Sequence, residues 1–190
     1  RFAVEGELPE SFWDVIAQKV AAHSCRDIDD SLDEYSIGWV SVASMFDAAF
    51  AQCSYAAGDY VVLSMRVDER KVSPAVLKKC VLKEEERIKR EKQLPKLGRS
   101  ALMEIKERVR TQLSRKSVPI PAVYDLVWNL SDATLLFFST NKKALVLVEE
   151  LFKETFGLSL ILQIPWNTAG HVADQACLDR LEQLRPEILL

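Results

Sequence analysis

The sequence predicts an α+β fold: a mainly antiparallel sheet with packed helices and a protruding basic helical hairpin. Three observations carry this expectation. Strand-like apolar runs and amphipathic helical segments follow one another as β-α-β-β-αα-β-β-α-β, without the strict βα alternation of a parallel sheet. Two charged amphipathic segments lie side by side, broken only by Leu94-Pro95. Between Arg66 and Lys116 there are 17 Lys and Arg against 8 Asp and Glu, a local net of +9, while the remainder holds 8 basic and 20 acidic residues, a net of −12.

The elements follow in order. Phe2 to Glu5 alternates apolar and polar residues and reads as a strand. Ser11 with Asp14 three positions later forms a capping-box pattern that opens an amphipathic helix to about Ala22. Asp27 to Glu34 is an acidic loop, and Ile37 to Val42 is a strand. Residues 43–58 read as loop, and Tyr60 to Val67 is a clear β run. Ser73-Pro74 starts a helix to about Gln93, because proline in the first turn has no N–H to lose. Leu77, Val81 and Ile88 share one face of it, and Lys79, Lys83, Arg87 and Arg90 share another. A second helix covers about Arg99 to Ser114, with Leu102, Ile105, Val109 and Leu113 inward and Arg99, Lys106 and Arg110 outward.

Val118-Pro119-Ile120-Pro121 ends the hairpin, since proline cannot continue a helix. Val123 to Leu130 and Thr134 to Phe138 read as strands joined by a turn at Ser131-Asp132-Ala133. Thr140 or Asn141 caps a helix to about Phe156, with Gly157 as its C-terminal cap, and Leu158 to Ile164 is a last strand. The chain beyond Pro165 is polar, with a short helix from Val172 to Leu184. The expected organisation is an α+β core from residues 1–72 and 117–170, a helical hairpin at 73–116 inserted into it, and a C-terminal tail at 171–190.

A chain of 190 residues with 48% hydrophobic content and four Trp can bury a core of its own. No apolar run approaches the ~20 residues of a membrane helix. The four cysteines (Cys25, Cys53, Cys80, Cys177) contain no C-x-x-C pair, and the two histidines, His23 and His171, are far apart. Zinc spacing is therefore absent, and buried or reduced thiols are expected rather than a disulfide framework. No glycine-rich phosphate loop is present among the six glycines. His23, Ser24 and Cys25 are adjacent, but neighbouring helical residues point apart and cannot form a local nucleophile–base pair. Asp27, Asp29, Asp30, Asp33 and Glu34 are the densest carboxylates, and a solvated loop is preferred to a metal site there. Neither a catalytic residue, a metal nor a cofactor is assigned. The basic segment has the charge of a polyanion-binding surface. It contains no Phe, Tyr or Trp, which disfavours base stacking on single strands and favours backbone contact with duplex DNA.

The whole pattern resembles the bacterial recombination-associated protein family RdgC. The residues that carry the resemblance are Gly38-Trp39-Val40 and the run from Arg66 to Val76 leading into the first charged helix. They continue with Leu97 through Val109, then Thr140 to Ala144 with the helix and the Leu158 to Pro165 strand behind it. The resemblance implies a cytoplasmic, nucleoid-associated protein without enzymatic activity, and no membrane association. It implies a homodimer or ring-like assembly that surrounds double-stranded DNA without sequence preference and opposes RecA by occupying its DNA. By position, it implies DNA contacts at Lys96, Arg99, Lys106, Arg110, Arg115 and Lys116. Lys83, Arg87 and Arg90 of the first charged helix complete the candidate DNA-binding set. Two departures stand out. Leu113-Ser114-Arg115-Lys116-Ser117-Val118 replaces the family's Leu-Pro-Arg-Ala-Phe, keeping charge and losing the aromatic. Longer members also carry a second region of comparable size after the last strand, so any ring must close differently here. Two other functions stay open: a metal-dependent nuclease using Asp29, Asp30, Asp33 or Glu34, the family having also carried an exonuclease label, and a protein-interaction module without DNA binding. Leu178, Leu181, Leu184 and Leu189-Leu190 are candidates for self-association.

Overall fold

The computed structural model describes residues 1–9, 11–50 and 54–183, apart from the side chains of Asn167 and His171. Cys53, Leu184 and Leu189-Leu190 lie outside the described residues. The α+β class holds. Seven strands form a single antiparallel sheet: β1 (Phe2–Glu5), β2 (Tyr35–Val40), β3 (Ala56–Ala57), β4 (Tyr60–Glu69), β5 (Ile120–Asn129), β6 (Thr134–Phe137) and β7 (Ser159–Leu162). The order across the sheet is β2-β4-β5-β6-β1-β7, with β3 paired to the start of β4. The helices are α1 (Phe12–Ala22), α2 (Pro74–Lys92), α3 (Arg99–Lys116), α4 (Lys142–Phe156), α5 (Pro165–Val172) and α6 (Gln175–Gln183).

One face of the sheet carries the core. Val61, Leu63, Met65 and Val67 alternate along β4 with Val62, Ser64, Arg66 and Asp68, and the first set joins the apolar cluster. α1 contributes Phe12, Ile16 and Val20, and α4 contributes Ala144, Val148, Leu151, Phe152 and Phe156. Trp128 stands at the centre, with ring centroids 5.3 Å from Phe12 and 5.0 Å from Phe152, both edge-on. Trp39, fully buried on β2, donates its indole N–H to Thr155 Oγ1 at 2.8 Å. Thr155 Oγ1 in turn donates to the Leu151 carbonyl at 2.7 Å, so the sheet and α4 are joined by a satisfied polar chain inside the core.

Gly38 is required by a close approach. The segment after α1 runs parallel to β2, with Cys25 N donating to Trp39 O and Trp39 N donating to His23 O, each at 2.9 Å. A Cβ at residue 38 would lie 2.4 Å from Cys25 N and 2.6 Å from the Ser24 carbonyl carbon. The same pairing covers the outer edge of β2 (an exposed edge would otherwise invite strand addition).

Several boundaries differ from expectation. β3 falls in the segment read as loop, because two alanines leave no periodic signal. β2 runs from Tyr35 to Val40 instead of 37–42, since Ser41 turns away with its N–H donating to Asp47 O at 2.8 Å. β5 begins at Ile120 and holds Pro121 at its second position, where the missing ladder donor is tolerated near a strand end. Ser11 makes no side-chain cap bond: at φ −92 and ψ 33 it lacks the extended backbone that aims a capping oxygen. Asn141 does cap α4, accepting from Lys143 N at 3.0 Å, and Gly157 closes it in the left-handed region at φ 75. The single helix expected at the C-terminus is two. Pro165 opens α5 at its first position, and Asp174 Oδ1 accepts from Cys177 N at 2.9 Å at the start of α6.

Candidate nucleic-acid interface

β4 and β5 pair along their full length, from Tyr60↔Asn129 to Glu69↔Ile120, and α2 and α3 are inserted beyond that last pair. At 1.5 Å per residue the helices of 19 and 18 residues are each about 28 Å long. They pack on each other. α3 buries Ile105, Val109 and Ser114, whereas α2 buries no residue, and its Leu77, Val81 and Ile88 are only half-buried. Gln93 ends α2 in the left-handed conformation (φ 50), two residues before Pro95. Between the helices, Arg108 Nη2 and Glu84 Oε1 are 2.7 Å apart, pinning α3 to α2.

All nine candidate cations are exposed, but they do not form one surface. Lys83, Arg87, Arg90 and Lys116 line a cleft of about 650 Å³ between the helices, whose walls also include Glu84, Glu86 and Glu91. Arg110 lines a second cleft of about 550 Å³ at the base of the helices, with Glu34, Glu69, Arg70 and Lys71. Lys96 lies in the turn beside Leu94 and Leu97. Arg99, Lys106 and Arg110 fall within about 40° of one another around α3, while Arg115 lies about 140° from Arg110.

Ion pairing sorts the nine further. Arg87 is held by two carboxylates, with Nη2 2.6 Å from Glu84 Oε1 and Nη1 2.9 Å from Glu91 Oε1. The Arg87 guanidinium keeps the Glu84 carboxyl below the usual carboxylate range, with Arg108 adding to the effect. Glu84 and Glu91 in turn raise the pKa of Arg87. Arg90 lies 4.0 Å from Glu86. The other seven, Lys83, Lys96, Arg99, Lys106, Arg110, Arg115 and Lys116, have no carboxylate within 4.0 Å among the described residues. Along α2, Glu85 pairs with Lys89 at 2.6 Å and Glu86 with Arg90, each one turn on. Glu84 bridges Arg87, three residues on, and Arg108 of α3, and the second contact is one that helical spacing within α2 could not reveal.

The acidic loop has its own internal bonds. Asp27 Oδ1 accepts from Asp29 N at 2.9 Å, and Asp33 Oδ2 accepts from Ser31 Oγ at 3.0 Å. No group of three or more His, Cys, Asp and Glu is placed to hold a metal ion among the described residues. His23 Nδ1 lies 3.0 Å from the Lys19 carbonyl, so this nitrogen is the donor and is turned toward its own helix. Cys25 is buried, and that burial pushes its thiol pKa up, away from a reactive thiolate. Among the described residues, no helix is long and apolar enough to cross a membrane.

Two arginines outside the hairpin have contacts that the charge count does not mark. Arg66, on the sheet face opposite the core, is buried with Asp68 and donates through Nε to its Oδ1 at 2.8 Å. Its Nη1 donates to Met45 O at 3.2 Å, and its guanidinium carbon lies 5.7 Å from the Phe46 ring centroid. Arg70 reaches toward the acidic loop, and its donors meet backbone carbonyls instead of carboxylates. Charge counting treats both as surface cations, whereas both are structural.

No family model matches this chain, and no curated protein matches it.

Proposed function

We propose that this chain binds double-stranded DNA through the phosphate backbone, without sequence preference, using the α2–α3 pair. The observation that carries the reading is that seven of the nine candidate cations, all exposed, have no carboxylate within 4.0 Å among the described residues. A cation without a carboxylate partner is free to release a phosphate counterion; a paired one must first lose its partner. On this reading Lys83, Lys96, Arg99, Lys106, Arg110, Arg115 and Lys116 carry the contact. Arg87 and Arg90 serve mainly to organise α2. The resemblance to the RdgC family extends the proposal: self-associated copies, as a dimer or ring-like assembly in the cytoplasmic nucleoid, occupy DNA and thereby modulate RecA-dependent recombination. No catalytic step is part of it.

The test is fluorescence anisotropy of labelled duplexes of unrelated sequence, titrated at several salt concentrations. Equal affinities with a steep loss on adding salt support the reading. One preferred sequence, or no binding at low salt, overturns it. Repeating the incubation with Mg²⁺ or Mn²⁺ and following strand length tests the nuclease alternative, which requires degradation that a chelator abolishes.

A protein-contact role has one observation in its favour. Leu82 on α2 and Met103 on α3 are 52% and 63% exposed, more than a purely solvated charged pair needs. A stable oligomer in light scattering with no DNA affinity would select that role.

A further inference from the structure

We infer that Arg70 is a positioning residue: its side chain clamps the acidic loop to the end of α3 and so fixes how the helical pair meets the sheet. Arg70 follows the last residue of β4, and its own N–H donates to Glu34 O at 2.9 Å. Nε donates to Asp33 O at 2.9 Å. Nη2 donates to Ile28 O at 2.6 Å, Ser31 O at 3.0 Å and Asp29 O at 3.2 Å. Nη1 donates to Ser117 O, the residue that follows α3. One side chain therefore joins four carbonyls of residues 28–33 to the exit of the helical pair, across 37 to 47 residues of sequence.

The chemistry selects arginine. Five N–H groups in a planar fork can meet separate carbonyls on two sides, whereas a lysine ammonium offers three donors from one nitrogen. The loop has five carboxylates of its own at Asp27, Asp29, Asp30, Asp33 and Glu34, yet none of them pairs with Arg70 within 4.0 Å among the described residues. The guanidinium is thus used for geometry and not to neutralise the loop. A second observation places the clamp at the candidate interface: Arg70 lines the same cleft as Arg110, with Glu34 on its wall. Releasing the clamp frees an acidic loop beside a cation proposed to meet phosphate. The effect on DNA rests on the function proposed above; the clamp itself does not.

The experiment is amide hydrogen exchange on the full chain and on Arg70→Lys and Arg70→Ala. Both variants should speed exchange at the hydrogen-bonded amides of Asp29, Ser31, Asp33 and Ser117 by about tenfold or more, the loss of one or more hydrogen bonds. Amides of β6, β7 and α4 should keep their rates. Lysine should fail to restore protection although it keeps the charge. Uniform acceleration across the chain, unchanged rates in the loop, or full rescue by lysine would each overturn the clamp. If a variant does not fold, NMR of the wild-type Arg70 guanidinium decides: a slowly exchanging, resolved Nε–H supports it and an averaged, solvent-exchanging one overturns it. A DNA titration is read separately. Wild-type protein that binds no DNA defeats the proposed function and leaves the exchange result standing. Where it binds, Arg70→Lys should lower the salt slope at unchanged net charge.

Discussion

Salt is the perturbation that reads the hairpin most directly. Each phosphate neutralised on duplex DNA contributes about −0.9 to the slope of log K against log salt. The seven proposed phosphate contacts, none with a carboxylate partner, therefore set a ceiling near −6, or roughly a 6,000-fold loss of affinity between 50 and 200 mM salt. The single flank of Arg99, Lys106 and Arg110 sets a floor near −3, or roughly a 40-fold loss over the same range. The expected slope lies between these limits because the cations of α3 occupy two flanks. Anisotropy across that salt range gives the slope. Lys106→Gln with Arg110→Gln should then reduce its magnitude by about 2, equally on unrelated duplexes. Arg87→Gln is the internal control: its guanidinium is already held by Glu84 and Glu91, so the slope should change by less than about 0.5. A wild-type slope shallower than about −2, or a larger effect from Arg87 than from the Lys106–Arg110 pair, would refute the reasoning.

Other expectations concern what holds the sheet and the helices. Gly38→Ala forces Cβ into backbone atoms 2.4 to 2.6 Å away, so two bonds of the Ser24–Trp39 bridge must open; the expected loss is about 3 kcal/mol, read by urea unfolding. Thr155→Val leaves the buried Trp39 indole N–H without its acceptor and should cost about 1–3 kcal/mol, with a smaller cost for Thr155→Ser, which keeps the hydroxyl. Glu84 has a lowered folded-state pKa, with Arg87 as its main cause. Its contribution is therefore present above the ordinary glutamate pKa and lost as pH falls through the lower folded value. Exchange protection of α2 should drop over that acidic window, and Glu84→Gln should remove the pH dependence.

What the sequence made legible follows from physical range. β4 was readable because eight consecutive residues from Tyr60 to Val67 carry a β signal, and it was underestimated only at Asp68 and Glu69. Those two are polar, yet Asp68 is buried by its pairing with Arg66, and composition cannot register a partner that arrives from the same polar face. The cap at Asn141 and the glycine at 157 are local devices and were visible as such. Ser11 shows the same local pattern, and its backbone angles defeat it. The candidate interface was legible as a quantity of charge but not as an arrangement. Glu84 and Glu91 stand at i−3 and i+4 from Arg87, so helical spacing could have flagged their pairing; the Arg108–Glu84 contact between helices lay beyond its reach. Arg70 was invisible for the opposite reason: its partners are carbonyls, which every residue possesses.

The pairing of β4 with β5 carries a consequence for how the molecule assembles. Glu69 and Ile120 are opposite one another with residues 70–119 between them, so zipping this ladder from that end closes a loop of 50 residues. An unstructured loop of that size costs about 2 kcal/mol more to close than one of five, at roughly 0.6 kcal/mol for each doubling. A helical pair that forms first brings its two ends back together and removes much of that penalty. On that order of events the charged helices serve as a template for the ladder. Substitutions that weaken the α2–α3 seam, such as Val109→Ala, should slow the appearance of native sheet more than they speed its loss.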